Sequence, residues 1–165
     1  MRTDLGGLIR SDHEDLDRML VALIDSSGSA DEAAFLIDAL RVGLEAHAVA
    51  ERAVLRDLLG PVASSRLVSD LVRNLLDEHR KHANMLAALT LLRAGSTEWR
   101  TSLLELRIAV LDHAAREDLV GATLLGCVGP ARRRALAGEY ATERLRRFAY
   151  LDAAPERHAM ALASN

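Results

Sequence analysis

The sequence predicts an all-α protein: an antiparallel up-down-up-down bundle of four helices, followed by an extra C-terminal helix. Three observations carry this. The chain is rich in Ala and Leu, with three prolines and 3% aromatics, so it lacks the β-branched and aromatic clusters that mark strands. Apolar residues recur in alternating steps of three and four, the spacing of one helical face. Short joints rich in Gly, Ser and Pro separate four such stretches, and short joints make neighbouring helices antiparallel.

The first helix is expected from about Asp4 to Asp25, with Ile9, His13, Leu16, Leu20 and Leu23 on its stripe. Ser26, Ser27, Gly28 and Ser29 end it. The second starts near Ser29, an N-cap followed by early acids, and runs to about Leu59 before Gly60-Pro61. Its stripe is Leu40, Leu44, His47, Glu51, Val54 and Leu58. The third is expected from Ser64-Ser65 to about Ala94, stopped by Gly95. Its stripe is Val68, Val72, Leu75, His79, His82, Leu86 and Leu89. The fourth opens at Ser96-Thr97-Glu98 and runs to about Leu125, with Leu103, Leu106, Val110, His113, Glu117, Val120 and Leu124. A fifth, basic and amphipathic, spans about Pro130 to Asp152, where Pro130 suits a first helical turn. The expected organisation is a four-helix domain over 1–129, the extra helix over 130–152, and a tail over 153–165 with no periodic pattern.

A chain of 165 residues fits one domain. The formal charge is −3, from 21 basic and 24 acidic residues, which argues against a nucleic-acid binder. The basic residues are twenty Arg and the single Lys81. Arg132, Arg133, Arg134, Arg144, Arg146 and Arg147 are interleaved with Glu139, Glu143 and Asp152, the pattern of a solvated helix face. Leu136, Tyr140, Leu145, Phe148 and Leu151 suit packing of the fifth helix on the bundle or a homodimer through it. No apolar run has the roughly 18 residues of a membrane span. Acids in the first sixteen residues replace the apolar stretch of a signal peptide, so the expected location is cytoplasmic. Cys127 stands alone, which excludes an intrachain disulfide and a Cys-rich zinc site. It is expected to be a small buried or half-buried residue.

The chemistry sits inside the apolar stripes. Five of the six histidines fall there, each near the middle of its helix: His13, His47, His79, His82 and His113. His158 lies in the tail. Antiparallel helices align their midpoints, so all four place imidazoles at one level of one core. Acids accompany them. Glu51 is one turn after His47, Glu117 one turn after His113, and Glu78 one turn before His82. Asp118 reaches the same level from the edge of the stripe.

A single core histidine is ordinarily explained by one hydrogen bond. Each unpaired buried polar group costs about 1–3 kcal/mol, and an uncompensated carboxylate more. The same costly choice on four helices at one level is met at once by a metal cluster. Imidazole with carboxylate suits Fe, Mn or Zn. The Glu-x-x-His pairs of ferritin-like sites are absent, since Glu78 is followed three on by Lys81 and Glu45 by Ala48. HExxH is absent too.

These residues resemble the hemerythrin-like, or HHE cation-binding, family. That family carries a His on the first helix, HxxxE on the second, HxxxH on the third, and HxxxxD or HxxxE on the fourth. The matching segments here are Asp12-His13-Glu14-Asp15-Leu16, His47-Ala48-Val49-Ala50-Glu51 and His113-Ala114-Ala115-Arg116-Glu117-Asp118. The resemblance covers roughly residues 5 to 126. It implies a four-helix bundle around a non-haem di-iron site. It implies His13, His47 and His113 as terminal ligands, with Glu51 and either Glu117 or Asp118 as bridges. Stripe position favours Glu117, because Asp118 lies about 100° further round the helix.

The third helix departs from the pattern. HxxxH falls on Glu78-His79-Arg80-Lys81-His82, with Glu78 in place of the first His. His82 keeps the second position, yet an adjacent Glu-His pair is a frequent form in bacterial members and points to His79. Position on the stripe ranks His82 first, His79 second and Glu78 third. A Glu in place of His makes a harder site, and with so few aromatics an oxygen pocket unlike the family's is expected.

The leading expectation is therefore a di-iron protein that binds or senses O2 or NO, or handles iron. A di-iron enzyme of oxidative or nitrosative defence, breaking down peroxide, is the alternative; it needs proton donors near the metal. No acid is expected to back the ligands, and Arg80, Lys81 and Arg116 are expected to point outward. A metal-free structural bundle is the third reading. Manganese or zinc are the other candidate ions.

Overall fold

The computed structural model describes residues 4–26, 30–59 and 66–152. Those residues form five α-helices and no strand: α1 (Leu5–Asp25), α2 (Ala30–Leu59), α3 (Arg66–Leu89), α4 (Thr97–Gly126) and α5 (Pro130–Asp152). The expected starts at Ser29 and Ser64-Ser65, the Gly60-Pro61 joint and the 153–165 tail with His158 lie outside the described residues.

Caps fix the observable starts. The Asp4 carboxylate accepts from the Gly7 amide at 2.7 Å at the head of α1. The Ser96 hydroxyl accepts from the Trp99 amide at 3.1 Å at the head of α4. Asp31 and Glu32 lie in the first turn of α2, where the helix dipole favours acids. The third helix ends at Leu89, five residues short of the expected Ala94. Its last carbonyls are taken by tighter bonds: Thr90, Leu91 and Leu92 amides bond back to Ala87, Ala88 and Leu89. The Thr90 hydroxyl also takes Ala87 O, at 2.7 Å. Gly95 then turns the chain at φ 78°, a conformation open to a residue without Cβ. Cys127 is exposed rather than buried. It caps α4, with its amide on Leu124 O and Leu125 O.

In packing, α1 lies against α2 and α4, and α3 lies against α2 and α4. The four therefore enclose one core. Leu16, Leu20 and Leu23 at the end of α1 pack with Leu40 and Leu44 early in α2, Leu86 and Leu89 late in α3, and Trp99 and Leu103 early in α4. Leu5 and Ile9 pack instead with Val54 and Leu58, Val72 and Leu124. The histidine level lies between these two apolar clusters. The predicted stripes are buried, except that Val68 and Val120 are only partly so. Gly43 allows α1 close to α2; a Cβ there would meet Leu16 Cδ2 and Met19 Cε at 3.1 Å.

Of the two placements open to the fifth helix, packing on the bundle is seen. It lies along α2 and touches α1. Leu136, Ala137 and Tyr140 are buried, whereas Leu145 and Tyr150 are exposed. Its arginines pair with acids of the bundle: Arg132 with Asp57 at 2.5 Å, Arg144 with Asp12 at 2.8 Å, and Arg147 with Glu45. No helix among the described residues is long and apolar enough to cross a membrane.

Candidate metal centre

Each helix of the core delivers donors from the middle of its apolar stripe: His13 from α1, His47 and Glu51 from α2, His79 from α3, His113 and Glu117 from α4. Glu51 is 0% and Glu117 3% exposed. Two overlapping sets converge. His13, His47, His113 and Glu117 form one; His47, Glu51, His79 and His113 form the other. Within each set the donor atoms all lie within 4.8 Å of one another. His47 and His113 are common to both.

The distances show how tightly the donors meet. Glu117 Oε2 lies 3.0 Å from His13 Nε2, 3.4 Å from His113 Nε2 and 3.8 Å from His47 Nε2. Glu51 Oε2 lies 2.9 Å from His79 Nε2, which is 3.0 Å from His113 Nε2. Yet His13 Nε2, His47 Nε2 and both oxygens of Glu51 and of Glu117 are buried without a hydrogen bond of acceptable geometry. Six orphaned donor atoms facing one another are what a metal centre satisfies, and neutral imidazole with carboxylate is a fitting donor set.

The remaining candidates stand apart from both sets. His82, which led on stripe position, is buried with its ring centroid 5.2 Å from that of His113, and it belongs to neither set. Glu78 accepts from His113 Nδ1 at 2.9 Å and from Arg116 at 2.9 Å. Asp118 is exposed and pairs with Arg10 at 3.4 Å. His79 is the third-helix residue whose Nε2 joins the convergent donors.

The expectation that no acid backs the site is overturned. Glu78 backs His113, and Asp12 backs His47 through Tyr140. The Tyr140 hydroxyl lies 2.9 Å from His47 Nδ1 and 2.6 Å from Asp12 Oδ2. Both acids sit on stripe flanks, and a flank that faces a neighbouring helix is not a rim facing water. The Tyr140 and Arg144 contributions come from α5, where the sequence offers Tyr140 as a packing residue and Arg144 as part of a solvated face. Arg80 and Lys81 do point outward; Arg116 is half exposed yet reaches Glu78.

Electrostatics follow from this arrangement. Burial opposes charge on Glu117, but the imidazoles of His113, His13 and His47 hold its carboxyl well below the usual range. Burial likewise opposes charge on His47 and His113; the carboxylates of Asp12, Glu117 and Glu51 raise the first, and those of Glu117, Glu78 and Glu51 the second. His79 is lowered, chiefly by burial. Burial and then the neighbouring His113 and His79 bring His82 down to about 4.

Two grooves reach this level from outside, and the smaller, 240 Å³, is lined by Ile9, Val54, Leu75 and Glu117 among others. The larger measures 510 Å³, lies between α2 and α3, and is lined by Ala48, Val49, Ala83, Leu86 and His79 among others.

A family model, the hemerythrin HHE cation-binding domain, matches residues 5–124. The chain belongs to that family. The match spans the four core helices and stops short of α5, so the HHE domain holds all the convergent donors while Tyr140 lies beyond it. Comparison with curated proteins and with solved structures finds no match.

Proposed function

We propose that this HHE protein is a non-haem di-iron protein that binds or senses O2 or NO, or handles iron. The observation that carries the reading is the pair of overlapping buried donor sets, whose crowded oxygens and nitrogens a pair of metal ions would satisfy together. The ligands are His13, His47, Glu51, His79, His113 and Glu117. His82, Glu78 and Asp118 stand outside the shell. The helix contacts support an up-down-up-down bundle beneath this site.

Two iron ions held there would supply a redox-active Lewis-acid pair. The chain's own residues do the rest. The two apolar clusters exclude water from the donor level. Glu78 accepts a hydrogen bond from His113 Nδ1–H and so leaves the Nε2 lone pair facing inward. The groove between α2 and α3 admits a small molecule to the side of His79.

Peroxide breakdown is the second reading. It is favoured by the Tyr140 hydroxyl and Asp12 carboxylate, two groups beside His47 that can hold a proton.

The deciding experiment is metal analysis with a visible spectrum of protein purified without chelator, before and after air and NO. About two irons per chain, one for each donor set, with an oxo-bridged di-ferric spectrum are expected. Spectral change with gas supports binding or sensing, and catalytic loss of peroxide supports the enzyme. No metal, even after anaerobic ferrous reconstitution, overturns the reading and leaves a structural bundle.

A further inference from the structure

We infer that α5 is part of the metal centre: Tyr140 is a positioning residue that holds His47 with Nδ1 protonated and Nε2 free toward Glu117. The inference rests on the proposed metal site for its consequence, but its geometry stands without it.

Proton counting sets the direction of every bond. Asp12 is 6% exposed and receives Arg144 Nε at 2.8 Å, so its carboxylate is paired, ionised and able only to accept. The Tyr140 hydroxyl has one proton, and its 2.6 Å contact with Asp12 Oδ2 takes it. Its oxygen is then left as an acceptor toward His47 Nδ1 at 2.9 Å. The nitrogen that meets it must carry the hydrogen. His47 is thereby fixed as the Nδ1–H tautomer, and its lone pair sits on Nε2, the atom 3.8 Å from Glu117 Oε2.

Packing does not account for a tyrosine here. Tyr140 is 0% exposed among Leu136, Ala137, Val54 and Leu58. A phenylalanine would fill that space without burying a hydroxyl. Without the hydroxyl, the nearest remaining acceptor for Nδ1 is Asp12 Oδ2 at 3.8 Å, beyond hydrogen-bond reach. The preference between the two tautomers then disappears.

The test uses the full chain and the variants Tyr140→Phe and Asp12→Asn, with Leu136→Ala as a packing control that leaves the hydroxyl in place. Nitrogen-15 spectra of the metal-free protein at pH 9 report the His47 tautomer. Competition with a chromophoric chelator reports zinc affinity, and thermal melting reports stability. Wild type and Leu136→Ala are expected to show Nδ1–H at His47, the control only melting earlier. Tyr140→Phe and Asp12→Asn are expected to show mixed or Nε2–H imidazole and about 10–100-fold weaker zinc binding. An unchanged His47 tautomer in Tyr140→Phe overturns the inference. If that variant does not fold, an unchanged tautomer in Asp12→Asn does so. If wild type binds no zinc and no iron, the metal reading fails, and the tautomer still decides the role of Tyr140.

Discussion

His79 Nε2 lies 3.0 Å from His113 Nε2 and 2.9 Å from Glu51 Oε2, all three buried. His113 donates its Nδ1–H to Glu78, so its Nε2 presents a lone pair to His79. Three electron-rich atoms at such spacing are mutually unfavourable unless a proton or a cation lies among them. His82, one turn on, is buried but belongs to neither convergent donor set. His79→Ala is therefore expected to lower bound metal well below wild type, whereas His82→Leu keeps wild-type stoichiometry. Elemental analysis of both variants checks this, and the reverse result would move the third-helix ligand to His82.

The fourth helix offers a parallel choice. Glu117 is buried against three imidazoles, while Asp118 is on the surface with Arg10. An exposed pair of that kind contributes about 0–1 kcal/mol. Glu117→Ala is expected to abolish metal retention. Asp118→Asn is expected to leave metal content unchanged, with a melting temperature close to wild type. Metal loss in Asp118→Asn would return that residue to the site.

Much of this was legible in the sequence because helical periodicity is a local property. The steps of three and four through Leu103, Leu106, Val110, His113, Glu117, Val120 and Leu124 define one face, and that face is buried apart from the half-buried Val120. Short joints then bring His13, His47, His79 and His113 to one level. What periodicity does not resolve is rotation within the stripe. Residues 78, 79 and 82 all lie near the inward direction, and small rotations decide which one meets α2 and α4. Nor does it report what covers a flank. Asp12 reads as a rim acid until α5 lies over it with Tyr140 and Arg144. The short end of α3 is a different case, because Thr90 competes for the Ala87 carbonyl and the periodic pattern carries no sign of that.

Acid stability of the metal-free protein follows from His82. Burial, then the neighbouring His113 and His79, place it at about 4 in the folded state, against an ordinary 6.5 when unfolded. Between those values the unfolded chain binds a proton that the folded chain does not. The stability associated with His82 is thus complete above about pH 6.5 and is lost as pH falls toward 4. His47 and His113 shift the opposite way, so the comparison must isolate His82. Melting of metal-free wild type and His82→Leu at pH 7.5 and 5 does so. The variant is expected to lose less stability on acidification; equal losses would remove His82 as a source of the acid sensitivity.

Glu51 shows the cost of keeping a binding site. Both of its oxygens are buried without a hydrogen bond. An unsatisfied buried carboxylate costs about 1–3 kcal/mol or more. Glu51→Leu removes that cost and suits the surrounding apolar stripe. The metal-free variant is expected to melt roughly 2–12 °C above metal-free wild type at pH 8, taking about 2–4 °C per kcal/mol. The same variant is expected to hold far less metal. A lower melting temperature in the metal-free variant would mean that Glu51 is satisfied by the protein itself.

The groove between α2 and α3 gives a prediction about rate rather than affinity. Ala48 and Ala83 are small residues on facing helices, and His79 lies among the residues that line the space between them. Neither alanine belongs to a convergent donor set. Ala48→Phe places a ring in the groove while leaving every donor in place. Metal content and the resting visible spectrum are expected to match wild type. Stopped-flow mixing of the reduced protein with NO is expected to give a slower spectral change than in wild type. An unchanged rate, at equal metal content, would mean that small molecules reach the centre by another path.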